Sequence, residues 1–144
     1  MEMVKRKDLG RLAQEVLKRL PQRGERAALV TLQGDLGAGK TTFVQVLGQE
    51  LGVEEVIQSP TYVLMKSYRI NFGRFFKLVH IDAYRLQTPM EFATLNPEEF
   101  LEDPHSLVVL EWPERIIGKL PKSDLTLNFS ADGAAPEERY IELV

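Results

Sequence analysis

The sequence predicts an α/β fold of three layers, with helices packed on a mixed β-sheet that includes a β-hairpin. Three observations predict it. Two segments repeat their apolar residues at helical spacing, and two short apolar runs read as buried central strands. Two pairs of β-rich segments each enclose a glycine-containing loop. A length of 144 residues suits one domain. It is enough to bury a core without disulfides.

Each element has its own reason. From Asp8 to Leu20, residues Leu9, Leu12, Ala13, Val16, Leu17 and Leu20 share a helical face, and Pro21 ends the run. Ala27 to Leu32 is a buried-strand candidate. Thr41 to Leu51 is helical, with Phe43, Val44, Leu47 and Leu51 on one side and Gly52 past its end. Thr61 to Ile70 and Arg74 to Ala83 are rich in β-branched and aromatic residues around Asn71-Phe72-Gly73, the pattern of a hairpin. Pro89 to Phe92 and Pro97 to Leu101 read as short helices opening on proline. Ser106 to Leu110 is a second buried strand. Leu125 to Phe129 and Tyr140 to Val144 form the closing pair, joined by a polar loop with Gly133 and Pro136.

Composition narrows the function classes. The formal net charge is −3, so no global positive field recruits nucleic acid, and DNA is not an expected partner. The chain has no cysteine, which excludes a disulfide framework, a thiolate metal site and a cysteine nucleophile. The charged start, Met1 to Asp8, lacks the apolar core of a signal peptide, and no run reaches the length of a membrane span. A cytoplasmic protein is the expectation.

The chemistry begins at Gly34-Asp35-Leu36-Gly37-Ala38-Gly39-Lys40-Thr41, which matches the Walker A pattern. Glycines at these positions let backbone N–H groups form a nest around phosphate oxygens. The helix that follows points its positive end at the same anion. Lys40 is expected to reach the β- and γ-phosphates of a nucleoside triphosphate, ATP by preference, and Thr41 to ligate Mg²⁺ through its hydroxyl. An apolar strand precedes the motif and an amphipathic helix follows it, the setting the motif requires. A P-loop NTPase-like domain is therefore the fold within the α/β class.

Such a loop hydrolyses nothing alone; an acidic residue must help hold the metal and another group must orient water. Asp82 and Glu111 each end an apolar strand, where sites form in α/β sheets. Either suits the acidic metal site. Ser59-Pro60-Thr61-Tyr62 lies between helix and hairpin, where a hydroxyl can sense the γ-phosphate or merely turn the chain into a strand. Trp112 reads as core packing or a partner contact. His80, inside an apolar strand, reads as a satisfied core residue. Arg69, Arg74 and Lys77 make the hairpin locally basic, usually only a solvated face but one that could touch RNA or a protein partner.

Together these motifs resemble a known family. Gly34 through Thr42, Ser59-Pro60-Thr61-Tyr62, His80-Ile81-Asp82-Ala83-Tyr84-Arg85-Leu86 and Glu111-Trp112-Pro113-Glu114 stand in the order and spacing of the bacterial tRNA threonylcarbamoyladenosine biosynthesis ATPases, called TsaE or YjeE. The resemblance runs from about residue 5 to the C-terminus. It implies a small ATPase that acts with the TsaB–TsaD complex. That complex modifies adenosine 37 of tRNAs reading codons that begin with A. The chain would meet tRNA only through the complex.

The resemblance also implies residue roles. The loop residues Asp35, Leu36, Gly37, Ala38, Gly39, Lys40, Thr41 and Thr42 hold the nucleotide. Thr41 and Glu111 ligate Mg²⁺, and Asp82 acts through a metal-bound or attacking water. Thr61 is the switch hydroxyl, with Ser59, Pro60, Tyr62 and Trp112 in switch or partner contacts. Arg139 matches an arginine that approaches nucleotide. The chain departs from the family at Leu95-Asn96, where a Leu-Gly pair is usual, and near Arg6, where threonine is common. The Ala131 to Glu138 loop is longer.

Three other classes compete. A small-molecule kinase needs an acceptor pocket and a basic lid, yet only about thirty residues follow Glu111 and they hold no arginine cluster. A GTPase needs a guanine-reading Asn-Lys-x-Asp segment, which is absent. A non-catalytic nucleotide module needs neither Asp82 nor Glu111.

Overall fold

The computed structural model describes residues 2–60 and 63–144. Seven strands form one mixed sheet: β1 (Glu2–Lys5), β2 (Ala28–Gln33), β3 (Met65–Phe72), β4 (Phe75–Asp82), β5 (Ser106–Glu111), β6 (Leu125–Ser130) and β7 (Glu138–Leu143). Their order across the sheet is β1-β7-β6-β2-β5-β4-β3. The four central strands β6, β2, β5 and β4 run parallel. The margins are antiparallel, β3 against β4 on one side and β7 and β1 on the other.

Period-two alternation sorts the central strands between two cores. Ala28, Val30 and Leu32 of β2 and Leu107 and Val109 of β5 face helices α1 (Leu9–Arg19) and α2 (Lys40–Glu50). Leu29 of β2, Val108 and Leu110 of β5, and Val79 and Ile81 of β4 face away. There they meet Phe92 of a 3-10 helix (Pro89–Leu95), Phe100 of the short helix α3 (Glu98–Leu101) and Ile116 of a second 3-10 turn (Pro113–Ile116). Central strands apolar on both faces are what a parallel sheet covered on both sides needs. No helix among the described residues is long and apolar enough to cross a membrane.

Helix α1 starts one residue later than expected, after a 3-10 turn over Arg6–Asp8. The hairpin differs more. Its first strand begins at Met65, because Leu64 takes a φ of 68°, which breaks the extended run. Phe72 pairs with Phe75, so the turn is Gly73-Arg74 rather than Asn71-Phe72-Gly73. A positive φ of 56° at Gly73 permits so tight a connection. Arg74 is no part of a solvated basic face. Its guanidinium donates to the carbonyls of Pro21 (3.0 Å), Arg26 (2.9 Å) and Pro104 (2.6 Å), tying the hairpin turn to the α1–β2 and α3–β5 connections.

Strand β1 was not foreseen, since four residues carry too little alternation to announce a strand. It exists by pairing with β7, from Glu2↔Ile141 to Lys5↔Glu138. The departure at Asn96 proves harmless: its φ of 52° is left-handed, and asparagine tolerates the conformation that glycine usually supplies after a helix.

Candidate functional site

The site lies where β2, β4 and β5 end beside the start of α2. Residues 34–39 connect β2 to α2 directly, so the loop is pinned at both ends by buried elements. Gly34 has a φ of 146°, and a Cβ there would lie 2.6 Å from the Phe129 carbonyl oxygen of β6. Only glycine lets the loop leave the sheet so closely. Helix α2 then begins without a side-chain cap on its first N–H groups, so the positive end of the helix faces the loop.

Lys40 opens α2 but turns back over the loop. Its Nζ donates to the Gly34 carbonyl and to that of Asp35 at 3.2 Å, and it lies 3.9 Å from the centre of the Trp112 ring. Burial lowers its pKa from the usual 10.5, against the opposing pull of Glu111, Glu114, Asp82 and Asp35. The ammonium is held by two carbonyls and an aromatic face, none a full counter-charge. An incoming anion therefore gains a strong electrostatic partner.

Thr41 and Glu111 meet across the loop. The Thr41 hydroxyl lies 3.1 Å and 3.2 Å from the two carboxylate oxygens of Glu111. Donating its proton there leaves the hydroxyl's lone pairs free for a cation. Alternation explains the convergence: Asp82 and Glu111 are register partners in parallel strands, and both lie on the α2 side of the sheet. Asp82 is also buried. It accepts the Tyr84 N–H at 3.0 Å and the Ser59 hydroxyl at 3.4 Å.

One cleft of about 250 Å³ collects nearly every expected residue. It is lined by Asp35, Leu36, Gly37, Ala38, Gly39, Lys40, Thr41, Thr42, Ser59, Asp82, Glu111, Trp112 and Arg139. Arg139, from β7, reaches in to donate to the Gly37 carbonyl at 3.3 Å. Pro60 is buried, and its carbonyl accepts the Leu64 N–H. Thr61 and Tyr62 lie outside the described residues. An adjoining cleft shares Gly39, Thr42 and Arg139 and continues to Arg6, Leu9 and Phe129.

Trp112 packs on the second core and also lines the cleft. It follows Glu111 with a left-handed φ of 63°, and its N–H donates to the Leu32 carbonyl at 3.2 Å. Its ring contacts Tyr84 (centroids 4.9 Å apart) as well as the Lys40 ammonium. Such backbone strain in an aromatic residue costs about 1–3 kcal/mol and collects at functional sites.

His80 is buried in the core, as the sequence predicts, but it also reaches a site residue. Its side chain is fully buried, and its Nε2 lies 2.6 Å from Glu111 Oε2. The available signal was its spacing: two residues before Asp82 in one strand, it must share Asp82's face.

The donor set fits a hard divalent cation. The Thr41 hydroxyl and the Glu111 carboxylate are the oxygen donors that an ion such as Mg²⁺ takes, and the Asp82 carboxylate lines the same cleft. Among the described residues no group of three or more His, Cys, Asp or Glu is placed to form a closed metal cage.

The chain is also similar to known proteins. The family model described as "Threonylcarbamoyl adenosine biosynthesis protein TsaE" matches residues 4–141. The tRNA threonylcarbamoyladenosine biosynthesis protein TsaE of Synechocystis is 41% identical over 72% of this chain, although the match spans only 62% of that protein's length. The protein of the same name from Haemophilus influenzae is 37% identical over 83% of this chain and 72% of its own. A crystal structure of Bacillus subtilis YdiB superposes with a TM-score of 0.64 at 27% identity, covering 97% of this chain and 83% of that one.

Proposed function

The chain belongs to the TsaE family of tRNA threonylcarbamoyladenosine biosynthesis proteins, and from that membership we propose that it is a Mg²⁺-dependent P-loop ATPase whose turnover is set by its partners. The observation that carries the ATPase reading is the meeting of Thr41 and Glu111 at the mouth of the glycine-rich loop. A hydroxyl that gives its proton to a buried carboxylate presents lone pairs to a cation, beside a lysine and a helix N-terminus that receive phosphate.

In this reading residues 34–42 cradle the triphosphate of ATP. Lys40 exchanges its two carbonyls for β- and γ-phosphate oxygens. Thr41 and Glu111 hold Mg²⁺, which when bound draws off charge from the β- and γ-phosphate oxygens. Asp82 orients the attacking water, with Ser59 and the Tyr84 N–H fixing its carboxylate. Thr61 belongs to the switch segment, together with Ser59, Pro60 and Tyr62. Trp112 links the site to a partner surface.

The electrostatics favour partner control. Arg139 is the one arginine lining the cleft among the described residues. Its two terminal nitrogens already donate to the carbonyls of Gly37, Pro136 and Glu138, and its Nε has no hydrogen-bond partner among the described residues. An arginine supplied in trans raises phosphoryl-transfer rates by about 10³–10⁵. The proposed partner is the TsaB–TsaD complex, in the cytoplasm, and it brings the tRNA. Steady-state phosphate release, measured with and without the two partner proteins, tests the reading. Turnover is expected to be slow alone and to rise on adding active partners; an unchanged rate would sink partner dependence.

A further inference from the structure

We propose that His80 is a positioning residue that sets the orientation of the Glu111 carboxylate for the divalent cation, an inference that rests on the reading of Glu111 as a metal ligand. Glu111 is 2% exposed, so water cannot fix its rotation. Its two oxygens are nearly equidistant from the Thr41 hydroxyl, at 3.1 Å and 3.2 Å, so that contact does not choose between them. His80 does. Its Nε2 lies 2.6 Å from Oε2, a close hydrogen-bond contact to that oxygen alone. A carboxylate only accepts, so Nε2 carries the hydrogen. Oε2 is thereby anchored to β4, and Oε1 is the oxygen without that tie.

The burial of His80 argues against a mere core filler. The side chain has no exposed surface, and its Nδ1 has no hydrogen-bond partner among the described residues. Strand β4 offers leucine, valine and isoleucine at Leu78, Val79 and Ile81, any of which would fill space without an orphaned nitrogen. Buried polar atoms are nearly always paired, so an unpaired one accompanies a role for the rest of the ring. The backbone holds the ring rigidly. His80 is the register partner of Val109, and Glu111 lies two residues along the same strand, on the same face. Residues that orient a metal ligand from behind are worth about 10- to 100-fold in metal affinity.

The test separates metal from nucleotide. Nucleotide binding is measured by calorimetry twice, once in excess chelator and once across a Mg²⁺ titration, on the wild type and on His80→Phe, His80→Gln and His80→Asn. Phenylalanine keeps the ring but removes the donor. Glutamine places an amide N–H where Nε2 stood, and asparagine is too short to do so. The expected result is unchanged affinity in chelator for all variants. The Mg²⁺ midpoint should rise about 10- to 100-fold in His80→Phe and His80→Asn and recover in His80→Gln. A wild-type midpoint in the phenylalanine and asparagine variants overturns the proposal. So does an equal loss in asparagine and glutamine variants, which also decides the matter if His80→Phe fails to fold. If the wild type itself shows no Mg²⁺ dependence, the metal reading of Glu111 fails before His80 is at issue.

Discussion

Lys40 and Thr41 are neighbours in sequence with different work to do, and their loss should be felt at binding. Lys40→Ala removes the buried cation over the loop, and Thr41→Ala removes the hydroxyl that faces Glu111. Both variants should weaken Mg-nucleotide binding. Asp82→Ala should leave binding largely intact and lower turnover, because that carboxylate is held by Ser59 and Tyr84 rather than by the loop. Calorimetry beside single-turnover hydrolysis checks the division, and an equal binding loss in all three would contradict it. Asp103 makes a stability prediction at the same scale. Burial works against its charge. The His105 N–H, the Ser106 hydroxyl and the charges of Lys77 and His105 outweigh it and hold the pKa below 3.8. A carboxyl depressed in the fold stabilises above its unfolded pKa, and that contribution disappears as pH falls through the folded value. Asp103→Ala should therefore lower stability near neutrality by less than about 1 kcal/mol, because solvent screens a carboxylate this exposed. The gap between wild type and variant in urea denaturation should shrink in strong acid.

Among the elements, the glycine-rich loop and its helix were the most legible. Each needs a specific residue at a specific place, and such needs survive in sequence as a motif. Gly34→Ala should lower stability by at least about 1 kcal/mol, because it meets both a left-handed backbone and the Phe129 carbonyl. Gly37→Ala has a φ of 78° but nothing within 4 Å of a new Cβ, so it meets only the backbone term. Chemical denaturation should rank Gly34→Ala as the more damaging, and the reverse order would show that the close approach to β6 is relaxed. Asp82 and Glu111 were legible for a related reason: each is the first charge after an apolar run. Their nearness was not, because it depends on β4 lying parallel beside β5, a long-range pairing that no local pattern encodes. The same gap hid His80, whose partner is on another strand. It also hid β1, which owes its existence to β7, and the spent guanidinium of Arg74. What the chain declares locally is the loop; what it assembles by topology is the ring of groups around it.

For the whole molecule, the site is a junction. It draws on the ends of β2, β4 and β5, the start of α2, and β7 through Arg139. A ligand bridging these elements stabilises the native state by mass action, since the unfolded chain has no such cleft. At about 100 times its dissociation constant, Mg-ATP should add about 2.7 kcal/mol. For a chain of this size that corresponds to a rise of about 5–10 °C in Tm. The chain has a single tryptophan, and its ring lies 3.9 Å from the Lys40 ammonium that a triphosphate would draw away. Tryptophan emission should therefore change over the same concentration range as the thermal shift. Lys40→Ala should lose both responses together. A thermal shift without a change in emission would mean that the ligand binds elsewhere on the fold, and that the contact between Trp112 and Lys40 does not report on the site.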